Sequence, residues 1–495
     1  MTIAELIAGL SIELVRGSGS TVIREIVEDS RCAGPDCLFV ARAGAKFDGC
    51  AYIADAIAAG AVAVLCKDAG TVSDRAAVVV ADDVATAGGE LAERFHGHPG
   101  KALRLIGITG TNGKTTTAHL IHQILNQAGV RCGLVGTVQI DDGAAVTPAS
   151  LTTPPAIETS RILRRMMDSG CAVAVLEVSS HALHQRRTSA LCFDAAVFTN
   201  LSGDHLDYHG TMDAYAQAKA GLFESLAAES CAIVNIDDPA TNRVLRDCAG
   251  RTLRCSLTDP TADCFAEVGR QTIENVEAVL TGPWGVFEVC LGLIGRHNVA
   301  NALHAAAVCW DFGVERAALQ SGLSCCTPPP GRLEAVTGPG DEFTVLVDYA
   351  HTDDALANVL RALRPVVPVG GQLRLVFGCG GDRDRTKRPR MARTAARFAD
   401  ELIITSDNPR TEDPQAIMDD ILEGIPAQRL AETITLVDRR HAIQHAIQRT
   451  QPGDVLLIAG KGHESYQIIG TQKRPFDDRL VAADALANHR AKSVT

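Results

Sequence analysis

Gly107-Ile-Thr-Gly-Thr-Asn-Gly-Lys-Thr-Thr-Thr-Ala118 decides the fold. The apolar run Leu103 to Ile108 leads into it and reads as a buried strand. The run Ala118-His-Leu-Ile-His-Gln-Ile-Leu125 follows with helical apolar spacing. Strand, glycine loop, Lys-Thr and helix form the layout of a phosphate-binding loop. Gly110 and Gly113 let the backbone approach phosphates and turn N–H groups toward them, and the helix adds its positive N-terminal dipole. Lys114 is placed to reach the terminal phosphates, and the Thr115 hydroxyl to ligate Mg2+. The sequence therefore predicts a chain that spends ATP. The strict pattern G-x-x-x-x-G-K-[ST] asks for glycine where Ile108 stands. A glycine-rich turn with a solvated lysine is the alternative, and the order of strand, loop and helix weighs against it.

Around this loop, 495 residues are too many for one ordinary core and suggest three domains. A hydrophobic content of 46% with 21% charged residues is that of a globular protein, and only 4% aromatic content leaves Ala, Val, Leu and Ile to build the cores. A net charge of −12 argues against a nucleic-acid partner, though not against a local basic site for an acidic metabolite. No segment approaches a membrane span and the N-terminus lacks a basic-then-apolar leader, so the expectation is a cytoplasmic chain with no membrane insertion. The 16 cysteines are scattered without a C-x-x-C pair and read as reduced, small apolar residues. Nothing in the sequence demands more than a monomer.

The first unit is expected over 1–98, with strands at Thr21 to Ile26, Cys37 to Ala41 and Ala61 to Cys66, a helix at Tyr52 to Ala59, and a linker at Phe95 to Lys101. The second, 99–330, alternates strands and helices: Gly133 to Val138, Ala172 to Glu177, Ala195 to Thr199 and Cys231 to Ile236 are strands, His297 to Val308 a helix, and Phe287 to Leu291 an added antiparallel strand. That alternation predicts a mostly parallel sheet with helices on both faces. Cys325-Cys-Thr-Pro-Pro-Pro-Gly331 breaks the pattern. The third unit, 331–495, repeats it with strands Thr344 to Asp348, Leu373 to Gly378, Glu401 to Thr405 and Val455 to Ala459, and helices Asp353 to Arg364 and Arg388 to Ala399. The fold class is α/β.

Polar loops follow these strands, where ligands bind in open α/β sheets. Glu177 ends an apolar strand and is placed to hold a nucleotide's Mg2+. The loop Thr199-Asn-Leu-Ser-Gly-Asp-His-Leu-Asp-Tyr-His-Gly210 crowds two histidines and two aspartates at the same edge, as a second metal or phosphate site would. Lys219, among small and apolar helical residues, reads as a snorkelling surface lysine. In the third unit, Val347-Asp-Tyr-Ala-His-Thr352, Gly378-Cys-Gly-Gly-Asp-Arg-Asp384, Ser406-Asp-Asn-Pro-Arg410 and Ala459-Gly-Lys-Gly-His-Glu464 each follow a strand. Arg383 and Arg410 suit carboxylates and Asp407 or Glu464 an ammonium, so this unit is expected to take a zwitterionic amino acid with more than one charged end.

Together these motifs resemble the Mur ligase family, ATP-dependent enzymes that build the cell-wall peptide stem. The resemblance runs through nearly the whole chain: GTNGKTTT, LTTP at 151–154, EVSSH at 177–181, NLSGDHLDYH at 200–209, AK at 218–219, GRHNVANAL at 295–303, DYAHT at 348–352, GCGGDRD at 378–384, DNPR at 407–410 and GKGHE at 460–464. It implies a small N-terminal α/β domain, a central P-loop ATPase-like domain and a C-terminal Rossmann-like domain. Within the family it is similar to the ligases that extend UDP-N-acetylmuramoyl-L-alanyl-D-glutamate, and DNPR is the form associated with meso-diaminopimelate, whose distal carboxylate an arginine can bind.

The resemblance also implies roles. Gly110, Thr111, Asn112, Gly113, Lys114, Thr115 and Thr116 would bind ATP, with Asn298, Arg332, Asp348 and His351 around the nucleotide. Thr115, Glu177, His205 and Lys219 would hold magnesium, Lys219 as an N6-carboxylysine (carbamate), and Lys114, Lys219 and His205 would be catalytic. Thr152, Thr153, Ser179, Gln185 and Arg187 would contact the peptide-muramoyl part of the acceptor and Ser30 its uridine end. Arg383, Asp407, Asn408, Pro409, Arg410, Gly460 and Glu464 would bind diaminopimelate. Two positions depart from the family: Asp353 stands where Pro is usual, and Gly203 where a larger polar residue is common. The alternatives are a lysine-adding ligase, against which Arg410 speaks, a folylpolyglutamate synthase, and a nucleotide-binding protein without catalysis.

Overall fold

The computed structural model describes residues 1–44, 48–338 and 340–493. Three α/β sheets follow one another along the chain. In the first, Glu13–Arg16 pairs antiparallel with Ala77–Val80, and Ala61–Cys66, Cys37–Val40 and Glu25–Val27 continue in parallel. The strand expected at Thr21 to Ile26 is shorter and later, Glu25–Val27, because Val22 and Ile23 pair with the N-terminus instead, the Ile23 amide bonding Met1 O at 2.8 Å. Nor is 95–101 an open linker. The helix Val84–Phe95 fills its start, Pro99–Ala102 is a helical turn, and Glu93 accepts from the Gly100 amide at 2.9 Å.

The central sheet has eleven strands among the described residues. Its middle is Arg104–Thr109, flanked in parallel by Val173–Glu177 and Ala195–Phe198. These strands are near-continuous Val, Ile, Leu and Ala because both their faces are buried. Helices Lys114–Gln127, Arg296–Asp311 and Arg316–Cys325 cover one face, and Ala156–Asp168 and Met212–Glu224 the other. The register pairs Glu177 with Ile108 and Phe198 with Thr109, so the loops after all three strands open on one edge. Beyond Cys231–Asn235 the sheet continues through Arg251–Ser256, Cys264–Gln271, Val276–Gly282 and Gly285–Leu291, the last two pairings antiparallel. Only the last of these four strands was expected.

The third sheet runs Glu334–Ala335, Thr344–Asp348, Val455–Ala459, Leu373–Phe377, Glu401–Thr405 and Ile434–Leu436. It is parallel except for the first pair. Helices Asp353–Leu363, Lys387–Phe398 and Pro414–Leu422 pack on one face, and Arg439–Arg449 and Asp478–Ser493 on the other. Asp353, despite replacing the usual Pro, starts its helix normally: the Thr352 hydroxyl caps it, accepting from the Ala355 amide at 3.2 Å. Its carboxylate faces Arg390 at 3.5 Å. No helix among the described residues is long and apolar enough to cross a membrane. None of the cysteines is paired.

Candidate functional site

The phosphate loop is held open from both sides. Gly110 and Gly113 have φ of +151° and +86°, and a Cβ on them would strike Thr199 Oγ1 and Asn301 Oδ1, respectively. Only glycine fits both positions. Thr199 Oγ1 donates to Asn112 O at 2.6 Å, and the Asn112 amide donates to Asn200 Oδ1 at 2.9 Å. Lys114 arches back over the loop and donates to Gly110 O and Thr111 O, both at 2.8 Å. Thr116, expected beside the phosphates, is buried in the first turn of the helix.

Glu177 is fully buried and saturated: it accepts from Thr115 Oγ1 at 2.8 Å, the Thr137 amide at 2.7 Å and Thr137 Oγ1 at 2.9 Å. Arg332, from the third domain, reaches Thr115 Oγ1 at 3.3 Å. Lys219 corrects the reading of a surface lysine. It is 1% exposed, donates to Gly110 O at 2.8 Å and lies 4.3 Å over the Tyr215 ring. Burial first, and then the Lys114 charge, push its proton affinity well below that of an ordinary lysine. His205 adopts φ +55° and its ring packs edge-on to His181 at 4.7 Å. Burial, partly offset by Asp204, holds it at about 4, leaving a neutral imidazole with a free lone pair.

Among the described residues no three His, Cys, Asp or Glu side chains are gathered as metal ligands. In the 199–210 loop, the residues expected to crowd together point to different neighbours. His209 instead meets Ser180 Oγ at 3.0 Å, and Asp207 is exposed. Of the expected magnesium ligands, Thr115 and Glu177 are hydrogen-bonded to each other at 2.8 Å, and His205 lies on the loop after the neighbouring strand. An amine held uncharged at Lys219 fits the expectation that a carbamate completes the set.

Among the residues expected around a nucleotide, Asp348 accepts from the Leu333 amide at 2.8 Å and the Ala350 amide at 2.7 Å; burial pushes its carboxyl up against the pull of Arg332. Asn298 donates to Ile294 O at 2.9 Å and accepts from Asn301 Nδ2 at 3.0 Å. Arg332 stacks 4.7 Å over Tyr349, and His351 bonds the Tyr349 carbonyl at 3.0 Å. Asn301 was not anticipated, although its place one helical turn after Asn298 was a usable signal.

The expected acceptor residues fall into two groups. Thr153 donates to Glu177 O at 2.7 Å and accepts from the Ser179 amide at 3.0 Å. Arg187 donates to Thr153 O at 2.6 Å and Gln185 Oε1 at 2.8 Å. Thr152 joins them through Thr137 Oγ1 at 3.1 Å. Ser30 lies apart, in a turn of the first domain capped by Asp29. A small cavity between the first and central domains is lined by Glu28, Arg42, Gln185 and Arg187; Glu28 and Arg42, paired at 3.3 Å, were not anticipated.

The residues expected to bind the amino acid lie on neighbouring loops of the third sheet. Arg410 has φ +53°, held by its own amide to Ile468 O at 3.1 Å and its carbonyl to the Gly470 amide at 2.7 Å. Its guanidinium donates to Gly381 O at 2.7 Å. Burial, and then the charge of the exposed Arg383, lower its proton affinity, which marks two cations sharing one region. Pro409 O closes on Gly381, where a Cβ would clash. At the other end Asn408 Nδ2 donates to Glu464 Oε2 at 2.9 Å. Gly460 packs so that a Cβ would come 2.8 Å from Asp407 Oδ2. A further residue organises this end: Lys461, fully buried, donates to Glu464 Oε2 at 2.9 Å and Asn408 Oδ1 at 3.2 Å, with Asp407 at 3.8 Å. It stood in the quoted GKGHE run, flanked by the glycines that let it turn inward.

Fold and site define a three-domain α/β protein with a phosphate-binding-type loop on the central domain and a cluster of charged residues on the loops of the third. The chain belongs to the Mur ligase family. Residues 108–309 match the Mur ligase middle domain, 331–462 the Mur ligase glutamate ligase domain, and 22–96 the Mur ligase family catalytic domain. It is 44% identical to a UDP-N-acetylmuramoyl-L-alanyl-D-glutamate--2,6-diaminopimelate ligase of Synechococcus elongatus over 94% of each chain. A ligase of the same name from Gloeobacter violaceus is 43% identical over 99% of each. A solved structure of a ligase so named superposes with a TM-score of 0.71 at 34% identity, covering 100% of both chains.

Proposed function

We propose that this chain is an ATP-dependent ligase that joins meso-2,6-diaminopimelate to UDP-N-acetylmuramoyl-L-alanyl-D-glutamate in peptidoglycan precursor synthesis. The observation that carries the reading is the amino-acid pocket: Arg410 and Arg383 at one end, and Asp407, Asn408 and Glu464 around Lys461 at the other. Paired cations suit a carboxylate and the acidic end suits an ammonium, which is the charge pattern of a diamino diacid. Relatives of that name along the whole chain support it.

In the reaction, a carboxylate oxygen of the acceptor's glutamate attacks the γ-phosphorus of ATP, ADP leaves and an acyl phosphate forms. The amine of diaminopimelate then attacks the acyl carbon, loses a proton, and phosphate departs as the amide bond closes. Lys114 and the loop amides offset the charge that accumulates as two anions meet. Magnesium, when bound, supplies further charge neutralisation, with Thr115, Glu177, His205 and carbamylated Lys219 as its holders. Arg187, Gln185, Thr152, Thr153 and Ser179 orient the dipeptide end of the acceptor, and Ser30 contacts the uridine end. Asn298, Arg332, Asp348 and His351 hold the nucleotide. The same reading makes the enzyme a cytoplasmic monomer, since its nucleotide substrates are made there and every group it needs lies on one chain.

Lys114→Ala tests the reading. It should keep the fold, judged by circular dichroism and melting, and abolish acceptor-dependent phosphate release. Retained turnover would remove the loop from the mechanism.

A further inference from the structure

Three parts of the chain meet at one carboxylate oxygen. Asp354 stands in the first turn of the helix Asp353–Leu363, on the third domain. Its Oδ2 accepts from Asn112 Nδ2 at 2.8 Å and from Ser202 Oγ at 2.8 Å, both on the central domain, and from Asn358 Nδ2 of its own helix at 3.3 Å. Asn112 is the phosphate-loop residue just before Gly113. Ser202 belongs to the loop that follows the strand Ala195–Phe198.

These two central loops are already fastened to each other. Thr111 Oγ1 donates to Ser202 O at 3.2 Å and accepts from the Ser202 amide at 3.0 Å. The Asn112 amide bonds Asn200 Oδ1 at 2.9 Å, and Thr199 Oγ1 bonds Asn112 O at 2.6 Å. This network fixes Thr111 and Asn112, the two residues immediately before Gly113 and the N-terminus of the helix Lys114–Gln127. A carboxylate from another domain thus completes a network whose other members set the loop's shape. An acidic residue in a first turn also favours its helix through the dipole. Asp353 already supplies that effect, and it does not explain two short bonds from a different domain.

We infer that Asp354 is a positioning residue for phosphoryl transfer: it ties the placement of the amino-acid-binding domain to the geometry of the phosphate loop. Loop and amine donor are then set together, rather than by independent binding events. A sub-ångström shift of reacting groups is enough to cost large factors in rate, so a single acceptor atom at this junction has leverage on turnover. The turnover part of this inference rests on the ligase reading above; the nucleotide-binding part does not.

The test uses the full chain with Asp354→Ala, Asp354→Asn, Ser202→Ala and the double variant Asp354→Ala/Ser202→Ala. Calorimetry reads the affinity for a non-hydrolysable ATP analogue with Mg2+. Phosphate release with acceptor and diaminopimelate reads kcat and KM. Asp354→Ala is expected to weaken the analogue and to lower kcat roughly 10- to 100-fold, leaving KM for diaminopimelate unchanged. Asp354→Asn should recover most of both, because its amide oxygen still accepts. Ser202→Ala should cost several-fold alone and add little in the Asp354→Ala background, the non-additivity of a shared interaction. The inference is overturned if Asp354→Ala keeps parental analogue affinity and kcat, if Asp354→Asn is as impaired as Asp354→Ala, or if the two losses simply multiply. Should Asp354→Ala fail to fold, Ser202→Ala decides alone: unchanged affinity and kcat overturn the inference. If the unaltered chain releases no phosphate, the ligase reading fails while calorimetry still tests the link.

Discussion

Lys114 and Lys219 donate to the same atom: the Nζ of each lies 2.8 Å from the carbonyl oxygen of Gly110. Two lysines on one acceptor, one of them 1% exposed, cannot both carry a proton cheaply. Lys219 yields, because burial and the charge of Lys114 both act against its ammonium. A neutral amine is the form that adds CO2. A carbamate there would set an anion beside the Lys114 ammonium.

The first prediction follows from the sign of that shift. Folded Lys219 holds its proton less tightly than an unfolded lysine at 10.5, so the folded chain carries fewer protons below that pH. Its stability contribution is present above pH 10.5 and is lost as pH falls toward the depressed folded value. In CO2-depleted buffer, Lys219→Met should therefore be more stable than the parent at pH 7. The gain should shrink as pH approaches 10.5, while turnover is abolished. Denaturant unfolding at several pH values checks this; a parent as stable as Lys219→Met at pH 7 would contradict it.

Arg410 is expected to act on one substrate alone. Arg410→Ala should raise KM for diaminopimelate about 10- to 100-fold, the value of a charge-assisted hydrogen bond of about 1.5–3 kcal/mol. KM for ATP should stay put, since the guanidinium bonds Gly381 O and not the loop. Steady-state kinetics with each substrate varied in turn separates the two.

Gly113→Ala is expected to destroy nucleotide binding at modest cost to the fold. The left-handed backbone costs an alanine about 1–2 kcal/mol, and the new methyl group meets Asn301 Oδ1 at the loop's support. Calorimetry with an ATP analogue should show no binding, against a melting temperature only a few degrees lower. Near-parental affinity would show that the loop tolerates side chains there.

The third domain carries a fully buried ion pair. Arg439 donates to Asp478 through Nε at 2.8 Å and Nη2 at 2.7 Å, with both side chains fully buried. Asp478→Ala leaves a buried guanidinium without its partner and should cost about 3–5 kcal/mol. Arg439→Met/Asp478→Leu removes both charges and should recover much of that loss. Urea unfolding of the three proteins decides it: a double variant worse than the single one would contradict the argument.

Much of this site was legible in the chain because the chemistry sits in contiguous runs after strands. The loops at 110–116 and 460–464 declare tight backbone turns through their glycines, and Gly110, Gly113, Gly460 and Gly462 all take positive φ. Three things were hidden. Lys219 looked like a surface residue because its helix is mixed in character; its burial comes from Tyr215 and Gly110, the latter 109 residues away in sequence. The strand at 251–256 is mostly exposed and polar, and those at 264–271 and 276–282 mix buried with exposed residues, a weaker signal than the all-apolar parallel strands. Asp354 and Arg42 owe their importance to neighbours on other domains, which local spacing does not encode.

The most direct measurement offers meso-diaminopimelate and L-lysine in parallel to the enzyme with UDP-N-acetylmuramoyl-L-alanyl-D-glutamate, ATP and Mg2+, and follows phosphate release and product mass. The account predicts turnover and a tripeptide product with diaminopimelate, and little or none with lysine, which has no second carboxylate for Arg410. Turnover with lysine alone would contradict the role given to that pocket, and silence with both would contradict the ligase itself.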